Sequence, residues 1–185
     1  MQRLDPKTTA VVIIDIQDRL AAAMPEEQLS QVVRSARILV EGARLLGAPL
    51  FVTEQYPKGL GATLAPVNEA LEGGDAARFE KLCFSAWEAD GFAESLERSK
   101  ARAAVVIGME SHVCVYQTVR DLAQRGLEVH VPIDGVSSRR ADHQATGIAL
   151  CERAGAVSTT TETVVFDWLA KAGGDAFKQL SKLIR

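Results

Sequence analysis

The chain predicts a doubly wound α/β domain, and three observations lead there. Short apolar runs rich in Val and Ile recur along it. Segments with helical apolar spacing lie between them. The order helix, glycine, strand occurs three times. Near-continuous apolar runs are how strands buried on both faces read, as in a parallel sheet covered by helices. Strands alternating with helices at this rhythm form right-handed βαβ units.

The elements follow in order. "AVVIID" (Ala10–Asp15) is the first strand run. From Leu29 to Leu46 the apolar positions Leu29, Val32, Val33, Ala36, Leu39, Val40, Ala43 and Leu46 keep a 3/4 spacing, and Gly47 is placed to cap that helix. "APLFVT" (Ala48–Thr53) is the second run. "RFEKLCFSAW" (Arg78–Trp87) belongs to the long connection that follows and reads as an irregular or short extended piece, a natural place for a site-covering loop. "AAVVIG" (Ala103–Gly108) is the third run. A helix over His112–Arg125 follows, with Val115, Val119, Leu122 and Ala123 on its apolar face and Gly126 closing it. "LEVHVP" (Leu127–Pro132) is the fourth run. "GVSSRR" (Gly135–Arg140) then reads as the cap of the next helix, with Ser137 or Ser138 as N-cap. That helix covers Ala141–Ala154, carries Ile148, Ala149 and Cys151 inward, and ends at Gly155. A weaker run, "GAVSTT" (Gly155–Thr160), comes last.

The 185 residues suit one domain, 1–185. A chain that is 47% hydrophobic and 24% charged can bury an ordinary core. The net charge of -3, with no Lys/Arg block, leaves no electrostatic footprint for nucleic acid or an anionic membrane. Cys83, Cys114 and Cys151 are odd in number and lack metal-type spacing, which argues for a reducing compartment and against a disulfide framework. "MQRLDPKTTA" has no signal-peptide apolar core, and no run reaches the ~18 apolar residues of a membrane span. These features predict a cytoplasmic protein.

Ligands of such sheets bind beyond the carboxyl ends of the strands. The residues after each run are therefore the candidates: Asp15 and Gln17; Glu54, Gln55 and Tyr56; "MESHVC"; Asp134 and "GVSSR". Asp15 is a carboxylate at the end of an apolar run, where it must be solvated, hydrogen-bonded or paired. It reads as a turn residue or as a general base. Cys114 lies at a helix start, where free N–H groups and the dipole favour a thiolate. It reads equally as a small apolar residue on a buried face. Lys81 has apolar company in Phe79, Leu82, Phe84 and Trp87, which suits a lysine whose stem covers core surface. His112, His130 and His143 are scattered and form no metal motif. His112 is nearest to Cys114, but two residues apart at a helix start do not face each other. A nucleophilic "GxSxG" elbow and a "GxxxxGK[ST]" phosphate loop are both missing. No cofactor is expected.

"VVIIDIQDRL", "FVTEQYPKGLG", "FEKLCFSAW", "GMESHVCVYQT" and "DGVSSR" occur in the order seen in the isochorismatase-like cysteine hydrolases, and the resemblance spans about Thr9 to Leu169. "TEQYPKGLG" looks like the subgroup of isochorismatase-domain-containing proteins and bacterial YcaC-type hydrolases. The resemblance implies a three-layer α/β/α fold on a mainly parallel sheet of about six strands. It also implies a catalytic triad of Asp15, Lys81 and Cys114. In that triad Cys114 attacks a carbonyl or nitrile-like carbon, Asp15 moves the proton, and Lys81 lowers the thiol pKa. A cis peptide between Met109 and Glu110 would turn the Glu110 N–H toward the Cys114 N–H as an oxyanion hole. Gln17, Gln55, Tyr56, Phe84 and Trp87 stand as pocket walls for a small-molecule substrate, and a homo-oligomer is implied. Two departures bear on the activity. Nicotinamidases of the superfamily carry an Asp/His metal cluster after the second strand, whereas this chain has Glu54, Gln55, Tyr56 and Pro57, so no metal is expected. True isochorismatases cleave a vinyl ether by acid catalysis and lack the cysteine. A cysteine amidohydrolase, an interaction protein that keeps the fold, and isochorismatase or nicotinamidase chemistry are the competing readings.

Overall fold

In the computed structural model, which describes residues 2–185, a seven-stranded sheet with parallel pairing runs through the molecule. Its strands are β1 (Thr9–Ile14), β2 (Leu50–Gln55), β3 (Ala77–Lys81), β4 (Ala103–Met109), β5 (Glu128–Pro132), β6 (Val136–Ser137) and β7 (Val157–Thr159). The helices are α1 (Asp18–Ala21), α2 (Glu26–Leu46), α3 (Pro57–Leu60), α4 (Ala65–Leu71), α5 (Phe92–Arg98), α6 (Tyr116–Gln124), α7 (Ala141–Arg153), α8 (Thr161–Leu169) and α9 (Gly174–Ile184). The strand order is β3-β2-β1-β4-β5-β7, with β6 paired to β4.

Strand periodicity splits the core into two layers. Val11 and Ile13 of β1 enter a cluster with Val32 and Leu39 of α2, Val165 of α8 and Leu180 of α9. Ala10, Val12 and Ile14 enter the opposite cluster with Phe92 of α5, Val119 and Leu122 of α6, and Cys151 of α7. Every residue of β1 and β4 is buried, which is why both read as unbroken apolar runs. α2 starts on Glu26 and Glu27 and has Arg44 in its last turn, matching its dipole at both ends. Gly47, in the left-handed region, donates its N–H to the Ala43 carbonyl and ends the helix as its position predicts. Among the described residues no helix is long and apolar enough to cross a membrane.

Of the two readings open for Arg78–Trp87, the short extended one holds at its start, which lies in β3, an edge strand in register with β2 from Phe51↔Ala77 to Gln55↔Lys81. Arg78 and Glu80 are exposed along β3, so the strand alternates and shows no apolar run. β3 and the two-residue β6 complete a seven-stranded sheet, in keeping with the mainly parallel sheet of about six strands that the resemblance implies. One reading of the sequence needs correction. Neither Ser137 nor Ser138 caps α7, whose N-cap is Arg140 without a side-chain cap bond. Both serines are fully buried, and Ser138 Oγ accepts the Ser111 N–H at 3.1 Å.

The strand order reverses at β1, which lies between β2 and β4. A crevice opens where connections leave two adjacent strands in opposite directions. Gly108 lets β4 meet β1 there. It has φ 126 and pairs with Ile14, and a Cβ at its position would stand 1.9 Å from the Ile14 carbonyl oxygen.

Candidate active site

The carboxyl ends of β1, β2 and β3 and the turn after β4 converge on one buried polar cluster. Asp15 follows β1 with φ 50, a left-handed conformation uncommon outside glycine. Its Oδ1 accepts from Thr53 Oγ1 at 2.6 Å and its Oδ2 from Lys81 Nζ at 2.6 Å. The side chains of Asp15 and Lys81 are fully enclosed. Lys81 Nζ also donates to Gln55 Oε1 at 2.7 Å and to the Phe84 carbonyl at 3.1 Å. An ammonium has three protons, and here each has an acceptor. A buried ion pair is tolerated when its remaining hydrogen-bonding capacity is met, as it is in this cluster.

Gln17 and Gln55 frame the pair. Gln17 Oε1 accepts the Gln55 N–H at 2.7 Å, and its Nε2 donates to the carbonyls of Gln55 at 3.0 Å and Gly61 at 2.6 Å. Its amide is spent on backbone, so it holds the end of β2 in place. Gln55 Nε2 donates to the Leu82 carbonyl at 2.8 Å, and its Oε1 lies 4.0 Å from Cys114 Sγ.

Cys114 sits in a π-helical turn, Ser111–Val115, that runs into α6, not at a plain α-helix start. Such turns are frequent at functional sites. Its carbonyl accepts from Thr118 Oγ1 at 2.7 Å, and the same hydroxyl accepts the Ala86 N–H at 2.9 Å. Cys114 is buried, with 6% of the residue exposed. Its pKa is pushed up to about 12, first by burial and then by the Asp15 charge, with Lys81 pulling the other way. The lowering expected from a helix start is therefore overturned. Desolvation outweighs the turn's N–H groups, and the nearby cation is already paired with a carboxylate.

The Met109–Glu110 peptide bond is cis. The Glu110 carbonyl accepts the N–H of Val113 at 3.0 Å and of Val115 at 3.3 Å, while the Glu110 N–H has no backbone acceptor among the described residues. The Glu110 carboxylate takes the backbone N–H of Arg139 at 3.1 Å and its Nε at 2.9 Å. Tyr56, 51% exposed, packs its ring on Gly59; Leu82 and Phe84 are 75% and 50% exposed on the loop after β3. A cavity of about 530 Å³ beside Lys81 is lined by Tyr56, Leu82 and Cys83 among others. Trp87 is not brought to this cluster. Its indole lies 4.1 Å from the Arg125 guanidinium carbon, in a groove with Leu96, Ala101 and Leu127. No group of three or more His, Cys, Asp or Glu side chains placed for a metal ion occurs among the described residues.

Sequence reasoning missed Thr53 and Thr118. Thr53 becomes Asp15's partner only through the Ile14↔Thr53 register, which no local motif announces. Thr118 had a signal: a hydroxyl four residues past Cys114 reaches the carbonyl one turn back.

A model of the isochorismatase domain matches residues 9–163. The chain belongs to the isochorismatase domain family. Its isochorismatase domain is 35% identical to isochorismatase domain-containing protein 1 of Danio rerio over 98% of this chain and 62% of the relative, so the chain spans under two thirds of that protein. Among solved structures it resembles the MAR1 ribonuclease of Caenorhabditis elegans, with a TM-score of 0.91, 35% identity, and coverage of 99% of this chain and 92% of the other. The YcaC gene product of Escherichia coli, described as an octameric hydrolase of unknown specificity, shares the fold at a TM-score of 0.88 and 17% identity, covering 98% of this chain and 90% of that one.

Proposed function

We propose that this isochorismatase-domain protein is a cysteine hydrolase, acting as a single domain over the chain, that cleaves a small amide or related C–N bond. The observation that carries the reading is the enclosed Asp15–Lys81 pair, whose two charges both bear on the Cys114 thiol. The thiol is protonated at rest, so attack on a carbonyl carbon requires a base, and Asp15, whose charge acts on the thiol, takes that part. As Sγ bonds to the carbon, the thiol proton passes to Asp15 and the carbonyl π electrons move to oxygen. The N–H groups of Cys114 and Glu110 receive that oxyanion, and losing one such donor typically costs about 10²–10³ in rate. Collapse breaks the C–N bond, and Asp15 returns the proton to the leaving amine. Water then adds to the thioester, giving its proton to Asp15, and the thiol is regenerated as the acid departs. Lys81 keeps charge balanced as the Asp15 proton comes and goes.

Turnover of a panel of small amides, with and without Cys114→Ala, tests this. The wild type is expected to hydrolyse at least one, to show an acyl adduct on Cys114 by mass spectrometry, and to lose at least about a thousandfold in the variant. Equal rates in the two proteins would sink the reading. A second reading, an interaction protein that keeps the fold, is favoured by the closure of the thiol, since buried neutral cysteines are commonly inert. No Cys114-dependent turnover across the panel would select it. The ribonuclease in the nematode relative's name is not carried over, because the sequence has no Lys/Arg block to meet nucleic acid. The octameric neighbour supports a homo-oligomer, and three free cysteines suit a reducing cytoplasm.

A further inference from the structure

The charged groups around the thiol are already neutralised. Asp15 and Lys81 pair with each other, and Glu110 pairs with Arg139. Glu54 Oε1 takes both the N–H and the hydroxyl of Thr63, at 2.7 and 2.6 Å. Lys81 has all three protons accepted, and Arg139 spends its Nε on Glu110. The cavity beside Lys81 goes further in the same direction, since Glu80, Glu88 and Asp90 line it against one further cation, Lys58. The loops that carry the site present apolar surface instead. Of the six large apolar side chains that stand exposed among the described residues, three (Tyr56, Leu82 and Phe84) flank this cluster. The backbone beside them is tied inward: the Leu82 carbonyl accepts from Gln55, and the Phe84 carbonyl from Lys81. Tyr56 and Leu82 also line the cavity beside Lys81.

We infer that the substrate is an uncharged carboxamide with an apolar acyl group, held by Tyr56, Leu82 and Phe84, and that carboxylate-bearing compounds are excluded. Isochorismate, a dicarboxylate, falls in the excluded class despite the family's name. A carboxylate brought to this site loses water among Glu80, Glu88 and Asp90 with Lys58 alone to offset them, which is unfavourable by general principle. The inference rests on the cysteine-hydrolase reading but concerns which molecules the site admits.

The test compares butyramide, succinamate and 4-aminobutyramide, which share a four-carbon amide and differ in the end group, together with isochorismate. Butyramide is expected to exceed succinamate by at least about a hundredfold in Cys114-dependent kcat/KM, with isochorismate untouched. Leu82→Arg or Phe84→Arg is expected to narrow that gap at least about tenfold by supplying the missing cation. Cys114-dependent turnover of succinamate, 4-aminobutyramide or isochorismate at or above that of butyramide overturns the inference while leaving the hydrolase reading intact. If no amide turns over, the hydrolase reading fails, and binding decides the inference alone. Butyramide should then slow iodoacetamide labelling of Cys114 at pH 9 while equimolar succinamate does not. Equal protection, or none by either, overturns it.

Discussion

Cys114 has two charged neighbours of opposite sign, and the one removed sets the direction in which its thiol titrates. Asp15 raises its pKa and Lys81 lowers it, on top of a larger effect from burial. Asp15→Asn leaves the cation unopposed, so the thiol pKa falls. Alkylation of Cys114 by iodoacetamide at pH 8 is then expected to rise about tenfold for each unit of that fall, because the thiolate is the reacting form. Lys81→Met moves the pKa further up, and labelling slows below wild type. Removing one partner of a buried pair typically costs about 3–5 kcal/mol, so both variants need a melting curve beside the labelling. In catalysis the order reverses. On the proposed mechanism Asp15→Asn makes the thiol more reactive toward alkylation yet removes the proposed base, so turnover is expected to be lost while labelling accelerates. A variant that labels faster and also hydrolyses as wild type would remove Asp15 from the proton path. Cys83 lies on the open loop beside Leu82, and its own thiol is raised in pKa chiefly by burial, so neither cysteine of this region is a thiolate near neutrality.

The π turn and the loop after β3 are joined by one hydroxyl. Thr118 Oγ1 bonds the Cys114 carbonyl and the Ala86 N–H, at 2.7 and 2.9 Å, and Thr118 is fully buried. Thr118→Val keeps the shape and strands the Ala86 donor, which is expected to cost about 1–3 kcal/mol, whereas Thr118→Ser restores both bonds and most of the stability. Denaturant midpoints for the three proteins check this, and equal losses for Val and Ser would show that packing, not the hydroxyl, joins the elements. Gly108→Ala is expected to be more damaging, since its Cβ would strike the Ile14 carbonyl from a positive φ. Legibility in the sequence followed burial. β1 and β4 are buried along their whole length and announce themselves as apolar runs, and the spacing of α2 gives its face and its cap. β3 read only as an irregular or short extended piece because an edge strand alternates, and the cap of α7 was misread because Ser138 serves the π turn instead. Asp15, Lys81 and Cys114 came from motif resemblance. The error over the thiol came from counting a helix start without the burial and the paired carboxylate that only the fold supplies.

The whole molecule carries an alkaline liability set by its interior. Cys151 is buried on the opposite side of α7 from solvent, and its thiol is pushed up to about 12 by burial and then by Glu152; Cys114 is raised to about 12 as well. In the unfolded chain both thiols lose their protons near 9.0, the ordinary value. Below that pH the two states hold the same protons, and this contribution to stability is fully present. As pH rises from 9 toward 12 the unfolded chain binds fewer protons than the folded one, so stability falls, by about 1.4 kcal/mol per pH unit for each thiol. Tyrosines and lysines titrate in the same window, so a difference between variants isolates the effect. Cys151→Ser, close in size and non-titrating there, is expected to lose some stability at pH 8 through poorer packing. It should then lose stability more slowly than wild type from pH 9 to 11, by about 1.4 kcal/mol per unit. Urea unfolding at pH 8, 9, 10 and 11 measures both slopes. Parallel curves would mean that Cys151 opens to solvent before global unfolding, and the layer of α7 against the sheet would have to be looser than its buried contacts make it.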